Sequence, residues 1–343
     1  MFLSAHYGGE DLVMKLSPGE PWKKVFGPVF FYLNCLPSGD DPLKLWEDAK
    51  QQMAAEVQNW PYNFPASADF EPMDSRGFIN GRLLVRDRFM SEQLIPAKAA
   101  YVGLAPPGEA GSWQMECKGY QFWTETDSGG YFCIGNVRTG DYNLNAWVPG
   151  YIGDYQSDSV ITISSGCQVD VGDRVFEPAR DGPTLWEIGI PDRSAAEFYV
   201  PDPDPEYINK LYVDHPDKKV DESTYRGTTW QIRFKLEGVD SSDTYTLRLA
   251  LAMANVARLE VRINTIDSPA WFSTEVIGHD NAIARHGIHG LYRLFSVQIP
   301  GNLLVAGDNS IFLSQTMATS PFQGVMYDYI RLEGPSPPPA TEQ

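Results

Sequence analysis

The sequence lacks any long apolar run. No stretch of about 18 or more apolar residues occurs, so no helix is predicted to cross a membrane. It also lacks an excess of positive charge, because the formal net charge is -18, and this argues against a nucleic-acid backbone as a partner. An acidic polysaccharide would be repelled at long range too. A site for such a polymer would therefore need a local cluster of Lys, Arg and His side chains.

Several catalytic and export motifs are absent as well. No GxSxG string occurs to place a nucleophilic serine on a sharp turn, and no glycine-rich phosphate loop is found. Residues 1–10 contain a histidine, two glycines and an acidic residue where a secretory signal needs a basic start and an apolar stretch. No signal peptide is predicted in this chain.

Cysteine is scarce and has no diagnostic spacing. The four cysteines, Cys35, Cys117, Cys133 and Cys167, include no CxxC pair that would indicate a zinc or redox site. A Cys117–Cys133 bridge between neighbouring strands is one interpretation, and free, buried thiols are the other.

The apolar content is sufficient for several cores. Of the 343 residues, 43% are hydrophobic, and a single core rarely grows past about 250 to 300 residues. Changes in pattern predict a mainly β protein with one helix and three modules, covering residues 1–74, 75–178 and 179–334. The proline-rich end, residues 335–343, is predicted to be a disordered tail.

The first module contains an apolar run over residues 25–33. As a strand it would place Val25, Val29 and Phe31 on one face and Phe26 and Phe30 on the other, so both faces would need cover. The few residues before it cannot supply a second layer. The sequence therefore predicts the remnant of a larger β-sandwich in a chain truncated at its N-terminus.

A helix is predicted directly after this run. Asp41 is a suitable N-cap and Pro42 suits the first helical position. Trp46, Met53 and Val57 are spaced to form one apolar stripe, and a proline at position 61 ends the helix.

Short strands with turn signals every 8 to 12 residues or so are typical of a β-sandwich. In the middle module this pattern predicts a spacer or packing role, because no cluster of titratable residues recurs there. In the third module longer alternating strands predict a two-sheet jelly roll. The strands are predicted at residues 99–104, 121–124, 131–134, 141–148 and 159–163, and then at 230–236, 245–249, 259–263, 292–299, 310–313 and 324–332.

Three groups of strings, in this order, resemble one enzyme family. FLSAHYGGED at 2–11 and GEPWKKVFGPV at 19–29 resemble the end of the catalytic β-sandwich of the rhamnogalacturonan lyases of polysaccharide lyase family 4, with plant members closest in character. The strings at 81–85, 130–132, 136–144 and 146–150 are similar to its fibronectin-III-like module. LWEIGIPDR at 185–193 and YDYIRLE at 327–333 are similar to its carbohydrate-binding jelly roll.

The resemblance implies cleavage of the rhamnogalacturonan I backbone by β-elimination, in an extracellular or cell-wall location. This reaction needs a group to neutralise the uronate carboxylate, a base at C5 and an acid at O4. The family match offers His6 for charge neutralisation or proton transfer, with Tyr7 beside it as a substrate-binding residue; the alternative is an ordinary polar His6. The family's lysine base and clamping arginines have no counterpart here, so weak or no activity is expected. Lys15, Lys23 and Lys24 are interpreted as solvated surface charges.

A second candidate group is His279, His286 and His289, with Arg285. The spacing is compatible with a metal site, but the surrounding glycines disfavour a helix, so a sugar-contacting loop at Arg285, His286 and His289 or a plain surface loop is preferred. Trp271 is the aromatic residue proposed to stack on a pyranose ring. Two interpretations, stacking on a sugar ring or packing in the core, apply to four other aromatic residues: Trp186, Trp230, Tyr292 and Tyr327.

Two further expectations concern ligands and partners. The acidic stretch at 201–206, PDPDPE, could attract calcium, but its alternating prolines favour an extended, unliganded chain, and no cofactor is assigned. The expected partner is a pectic polysaccharide, rhamnogalacturonan I, bound by a monomer. The competing hypotheses are a non-catalytic carbohydrate-binding protein of the plant cell wall and a structural β-sandwich array without sugar affinity.

Overall fold

A computed structural model describes residues 9–198, 227–281, 290–320 and 322–335. The fold is mainly β, as predicted, with an α-helix near the front followed by two β-sandwich modules. No helix in the described residues is long and apolar enough to cross a bilayer.

The predicted helix is confirmed as α1 (Leu43–Asn59). Asp41 caps it, since its carboxylate accepts a hydrogen bond of 3.0 Å from the backbone N–H of Leu43. The apolar stripe, however, is not buried: Trp46, Met53 and Val57 are exposed.

The strand predicted over residues 25–33 is not formed. Its backbone makes no ladder with the described chain; the N–H of Val25 instead donates to the Tyr120 hydroxyl at 2.8 Å. Phe31 and Leu33 are 81% and 92% exposed. An apolar run becomes a strand only where a neighbouring strand offers backbone partners, and Pro28 has no N–H to contribute.

The middle module forms two sheets. One sheet has the order β2-β1-β5 with β9 beside β1, and the other has the order β4-β3-β6-β7 with β8 beside β6. Ile79, Leu83 and Val85 alternate along the first strand and enter the core with Leu104 and Leu144. The strands are β1 (Gly77–Val85), β2 (Ile95–Pro96), β3 (Tyr101–Ala105), β4 (Phe122–Glu125), β5 (Tyr131–Val137), β6 (Gly140–Trp147), β7 (Tyr155–Gln156), β8 (Ile161–Ile163) and β9 (Gln168–Phe176).

All four cysteines are free, so the Cys117–Cys133 bridge is not formed. Cys35 and Cys133 are exposed, which also contradicts the alternative of buried thiols for these two. Cys133 points outward because its neighbours Phe132 and Ile134 occupy the core face of β5.

The third module is a second sandwich. One sheet has the order β10-β18-β12-β15 with β16 beside β12, and it faces a sheet of order β11-β17-β13-β14. Leu247, Leu249, Val261, Leu313 and Leu332 belong to the core between them. The strands are β10 (Thr184–Gly189), β11 (Thr228–Leu236), β12 (Thr244–Ala257), β13 (Leu259–Ile263), β14 (Phe272–Ser273), β15 (Ile277–His279), β16 (Arg293–Pro300), β17 (Gly307–Gln315) and β18 (Gly324–Glu333).

The two sandwiches meet along the outer face of the β12–β18 sheet. Ile152 of the middle module packs in one cluster with Ala250, Tyr292 and Tyr329 of the third. This contact buries one flank of the β12–β18 sheet and creates a seam between the modules.

Candidate functional site

A cavity of about 520 Å³ lies in the seam. Its walls are residues 109–112 with Gln114 and Met115 of the short 3-10 turn Ser112–Met115, the pair Gly153 and Asp154, and residues 291–294 at the start of β16. Glu109, Asp154 and Arg293 supply its charges. The volume falls within the range of roughly 300 to 1,000 Å³ found for small-ligand sites.

Hydrogen bonds between the modules fix the walls of this seam cavity. Tyr292 donates its backbone N–H to Gln114 Oε1 at 2.7 Å, and Gln114 Nε2 donates back to the Tyr292 carbonyl at 3.4 Å. The N–H of Gly153 donates to the Tyr292 hydroxyl at 3.0 Å. Burial raises the pKa of Tyr292, so its phenol stays protonated and serves as a structural group.

Arg193 crosses the seam from the loop after β10. Its Nη2 donates to Asp154 Oδ1 at 2.7 Å, and the guanidinium lies 4.3 Å from the ring centroid of Tyr292 and 5.0 Å from that of Trp147. This combination of an ion pair and cation–π contacts holds the third module against the middle one.

Asp328 holds the backbone at Arg193 in an unfavourable conformation. Arg193 has a φ of 65°, in the left-handed region that costs a residue with a β-carbon about 1–2 kcal/mol. Asp328 Oδ1 accepts the backbone N–H groups of Asp192 at 3.0 Å and Arg193 at 2.8 Å. Burial raises the pKa of Asp328 to about 7, and these two hydrogen bonds oppose the rise. Asp328 is fully buried, so it cannot contact a polymer directly.

The front segment of the chain reaches the third module beside this cavity. Asp11 Oδ2 accepts hydrogen bonds from the backbone N–H of His279 at 3.0 Å and from Arg293 Nη2 at 3.2 Å. Arg293 Nη1 lies 3.7 Å from the buried Asp280 carboxylate. Gly9 approaches so closely that a β-carbon would lie 2.0 Å from the carbonyl oxygen of His279.

Most of the sequence-predicted site residues cannot be located. His6, Tyr7, Arg285, His286 and His289 lie outside the described residues, as does the acidic stretch at 201–206. Within the described residues no three His, Cys, Asp or Glu side chains converge on a point that could hold a metal ion.

Trp271 is described and accessible. Its side chain is 48% exposed, and its indole N–H donates to the Gln298 carbonyl at 2.7 Å, which fixes the ring at the edge of the third module. Of the other aromatic candidates, Tyr292 and Tyr327 are buried, and Trp230 packs 5.2 Å from Tyr327, centroid to centroid. The core interpretation therefore fits Tyr292 and Tyr327, whereas Trp230 is 42% exposed. Trp186 is partly buried and packs 5.2 Å from Phe234, centroid to centroid.

One lysine departs from its predicted role. Lys23 is an exposed charge paired with Asp69 at 3.0 Å, as expected, and Lys15 is exposed. Lys24 instead packs against the middle module and donates to the carbonyls of Cys117 and Gly119. The front segment is therefore attached to the middle module as well as to the third.

Sequence reasoning missed the residues that build the seam, among them Gln114, Asp154, Arg193 and Arg293. The family strings at 2–11 and 185–193 include Asp11 and Arg193 but do not show their partners. Arg293 lies 282 positions from Asp11, so no local pattern connects the two.

The seam cavity is equipped for binding. Carboxylates of Glu109 and Asp154 can accept hydrogen bonds from sugar hydroxyls, and the Arg293 guanidinium can donate them. Arg193 and Arg293 already face carboxylates, so the local excess of cations expected for a polyuronate site is not formed here. Among the described lining residues none is a histidine or lysine that could act as a base.

Comparisons with known proteins match both sandwich modules. A model of polysaccharide lyase family 4, domain II, matches residues 97–171, and one of polysaccharide lyase family 4, domain III, matches residues 184–332. The rhamnogalacturonate lyase of Dickeya dadantii is 25% identical over 350 residues, covering 96% of this chain and 54% of that protein. A probable rhamnogalacturonate lyase B of Aspergillus fumigatus is 26% identical over 185 residues, 51% of this chain and 26% of that protein.

The chain thus spans about half the length of the Dickeya relative that it matches. Among solved structures, a family 35 carbohydrate binding module from an environmental isolate is 22% identical, covers 34% of this chain and 72% of that one, and has a TM-score of 0.24. That TM-score is too low for the likeness to inform function. The two domain models together match more than half of the chain and occur in the family's own order. The chain therefore belongs to polysaccharide lyase family 4.

Proposed function

We propose that this chain is part of an enzyme that cleaves the rhamnogalacturonan I backbone by β-elimination. The observation that carries the proposal is the alignment of 96% of the chain with a rhamnogalacturonate lyase, which runs through both matched modules.

The described residues contribute to this function by holding the polymer. The seam cavity offers Glu109, Asp154 and Arg293 for hydrogen bonds to sugar hydroxyls, and Trp271 offers a fixed aromatic face to a pyranose ring. Proton transfer or neutralisation of the uronate carboxylate is assigned to His6, with Tyr7 beside it as a binding residue. Arg285, His286 and His289 remain proposed sugar contacts of the third module.

A lyase assay tests the enzymatic part. Elimination leaves an unsaturated uronate at the new chain end, so its ultraviolet absorbance is followed with rhamnogalacturonan I as substrate. His6→Ala is expected to abolish any absorbance increase of the unaltered chain, whereas His215→Ala, outside every family string, is the matched control. Equal rates for the two variants would remove His6 from the proposal.

A second candidate is a non-catalytic carbohydrate-binding protein. It is favoured by the seam cavity, whose described lining has hydrogen-bonding groups and no histidine or lysine. This function is supported if the protein migrates more slowly in an affinity gel containing rhamnogalacturonan and shows no activity in the lyase assay. Unretarded migration would favour a structural array without sugar affinity.

The proposal includes an extracellular, cell-wall location and a monomeric state, because the substrate is a cell-wall polymer and each described module closes its own core. Immunolocalisation tests the first and analytical ultracentrifugation the second.

A further inference from the structure

A second cavity lies on the other flank of the seam, also with a volume of about 520 Å³. It is enclosed by the loop after β1, the Gly150–Ile152 turn, the linker between β9 and β10, and the outer face of β18. Phe89, Ile152 and Ile190 give it apolar walls, while Arg180 and Arg331 supply guanidinium groups. It shares no lining residue with the seam cavity described above.

Arg180 is a buried cation in this wall that makes no hydrogen bond within the described residues. Its side chain is only 10% exposed, yet it donates no hydrogen bond to any described residue, and its Nε is buried without a partner. The Arg180 Nη1 atom lies 3.7 Å from Asp87 Oδ2, which is an ion-pair distance. The guanidinium also makes a cation–π contact, 5.3 Å from the centroid of the Phe89 ring. A guanidinium has five N–H donors, and buried donors are normally paired.

The carboxylate paired with Arg180, Asp87, lies at ion-pair distance without forming a hydrogen bond to it. Burial lowers the pKa of Arg180, and the positive charge of Arg331 adds to this effect, which the carboxylates of Asp87 and Glu333 oppose. The Asp87 carboxylate also accepts the N–H of Phe89 at 3.0 Å. Arg331 has partners of its own in Glu333 and the Ala179 carbonyl.

Acceptors for hydroxyl groups stand at the cavity mouth. Glu187 is exposed, receives the Tyr329 hydroxyl on Oε2, and carries no hydrogen bond on Oε1 within the described residues. The cavity thus combines a cation without a hydrogen-bonded partner, a carboxylate acceptor and apolar walls. A sugar acid presents the matching groups: one carboxylate, several hydroxyls and C–H faces.

We propose that this cavity is a binding site for a single uronate residue, with its carboxylate on Arg180 and a hydroxyl on Glu187. The choice of a sugar acid rests on the proposed function, whereas the choice of an anion rests on the Arg180 guanidinium, whose donors make no hydrogen bond within the described residues. The site lies between domains II and III and binds without cleaving.

Titration with sodium galacturonate, followed by calorimetry and by ligand-observed NMR, tests the site. Galactose, which has the same ring without the carboxylate, is the uncharged comparison, and inorganic phosphate is the generic anion. Saturable binding of galacturonate is expected, with galactose and phosphate each weaker by roughly tenfold or more, because a charge-assisted pair and the hydroxyl contact are both needed.

Arg180→Met is expected to weaken galacturonate binding by roughly tenfold or more. Arg86→Met is the matched control, since Arg86 is 57% exposed and pairs with Glu177 at the surface. Glu187→Gln, at the exposed rim, keeps an oxygen for the Tyr329 hydroxyl but loses the second acceptor oxygen. It is therefore expected to weaken binding severalfold with little change in melting temperature, so the test does not depend on how well the Arg180 variant folds.

Absence of saturable galacturonate binding would overturn the proposal, as would equal affinity for galactose or an unchanged affinity in both Arg180→Met and Glu187→Gln. Phosphate binding as tight as galacturonate binding would also overturn it, by showing a general anion site. Because binding of the monosaccharide is measured without cleavage, a silent lyase assay leaves the result intact, and active cleavage without galacturonate binding removes this site alone.

Discussion

Arg193 Nη2 donates to Asp154 Oδ1 at 2.7 Å across the seam, and both side chains are 13% exposed. The pair therefore works in a less polar environment than a surface ion pair, where net contributions are small. Its position is set by the Asp328 carboxylate beneath the loop. The geometry links the conformation of one loop to the attachment of two modules.

Arg193→Met is expected to lower the free energy of unfolding by about 3 kcal/mol, because it leaves the Asp154 carboxylate buried without its cation. The cation–π contact to Tyr292 is lost with it. Denaturant unfolding measures the change. Arg86→Met removes a surface ion pair with Glu177 and should lower the free energy of unfolding by less than about 1 kcal/mol. Similar losses in the two variants would show that the Arg193–Asp154 pair stabilises the fold no more than a surface pair does.

Asp328 is expected to make stability depend on pH. Its pKa is raised from 3.8 to about 7, chiefly by burial, so the folded protein binds a proton that the unfolded chain releases. The stabilising contribution of the protonated form is complete below about pH 4 and is lost as the pH rises to about 7. In Asp328→Asn this dependence is absent. The free energy of unfolding of the unaltered protein, minus that of the variant, should therefore fall by a few kcal/mol between about pH 4 and 7.

The matched control for this experiment is Asp267→Asn, at an exposed position of the third module. The free energy of unfolding of the unaltered protein, minus that of Asp267→Asn, should stay nearly constant between about pH 4 and 7. If the difference in unfolding free energy for Asp328→Asn is constant, Asp328 is ionised over this whole pH range. If the difference rises with pH, the predicted direction of the pH dependence is wrong.

The parts of the fold that could be predicted are those with local signals. The helix α1 follows from the cap at Asp41 and its periodicity, and β13 was predicted with its observed bounds because apolar and polar residues alternate over residues 259–263. Parallel pairing of β1 with β9 was missed, since no turn connects them directly. The prediction of a strand over residues 25–33 was wrong because the pattern considers only the residues of the strand itself. A strand also needs a neighbouring strand to pair with.

The site was harder to predict than the fold. Trp271 could be chosen from its loop position, and it is indeed accessible. Arg180 gave no signal in the sequence, because a cation becomes unusual only when the fold buries it without hydrogen bonds. Arg293 is similar, as its partner Asp11 comes from the other end of the chain.

The front segment should open from the third module more easily when Asp11 is replaced. Asp11→Ala removes both the ion pair with Arg293 and the hydrogen bond to the His279 N–H, so local opening should become easier by about 1–2 kcal/mol. Limited proteolysis or hydrogen exchange over residues 9–25 should show roughly tenfold faster cleavage or exchange. Glu10→Ala is the control at the adjacent exposed position, and equal protection in the two variants would contradict an anchoring role for Asp11.

Trp271 tests whether the third module stacks on sugar rings. Its indole is held by the Gln298 carbonyl and is 48% exposed, so a pyranose could stack on it without rearrangement. Trp271→Ala should weaken retention in a rhamnogalacturonan affinity gel severalfold, corresponding to about 1 kcal/mol, while leaving the melting temperature nearly unchanged. Trp46→Ala removes a more exposed indole, 64% accessible, from α1 and should migrate like the unaltered protein. If both variants lose retention alike, exposed aromatic surface in general holds the polymer; if neither does, the polymer binds elsewhere.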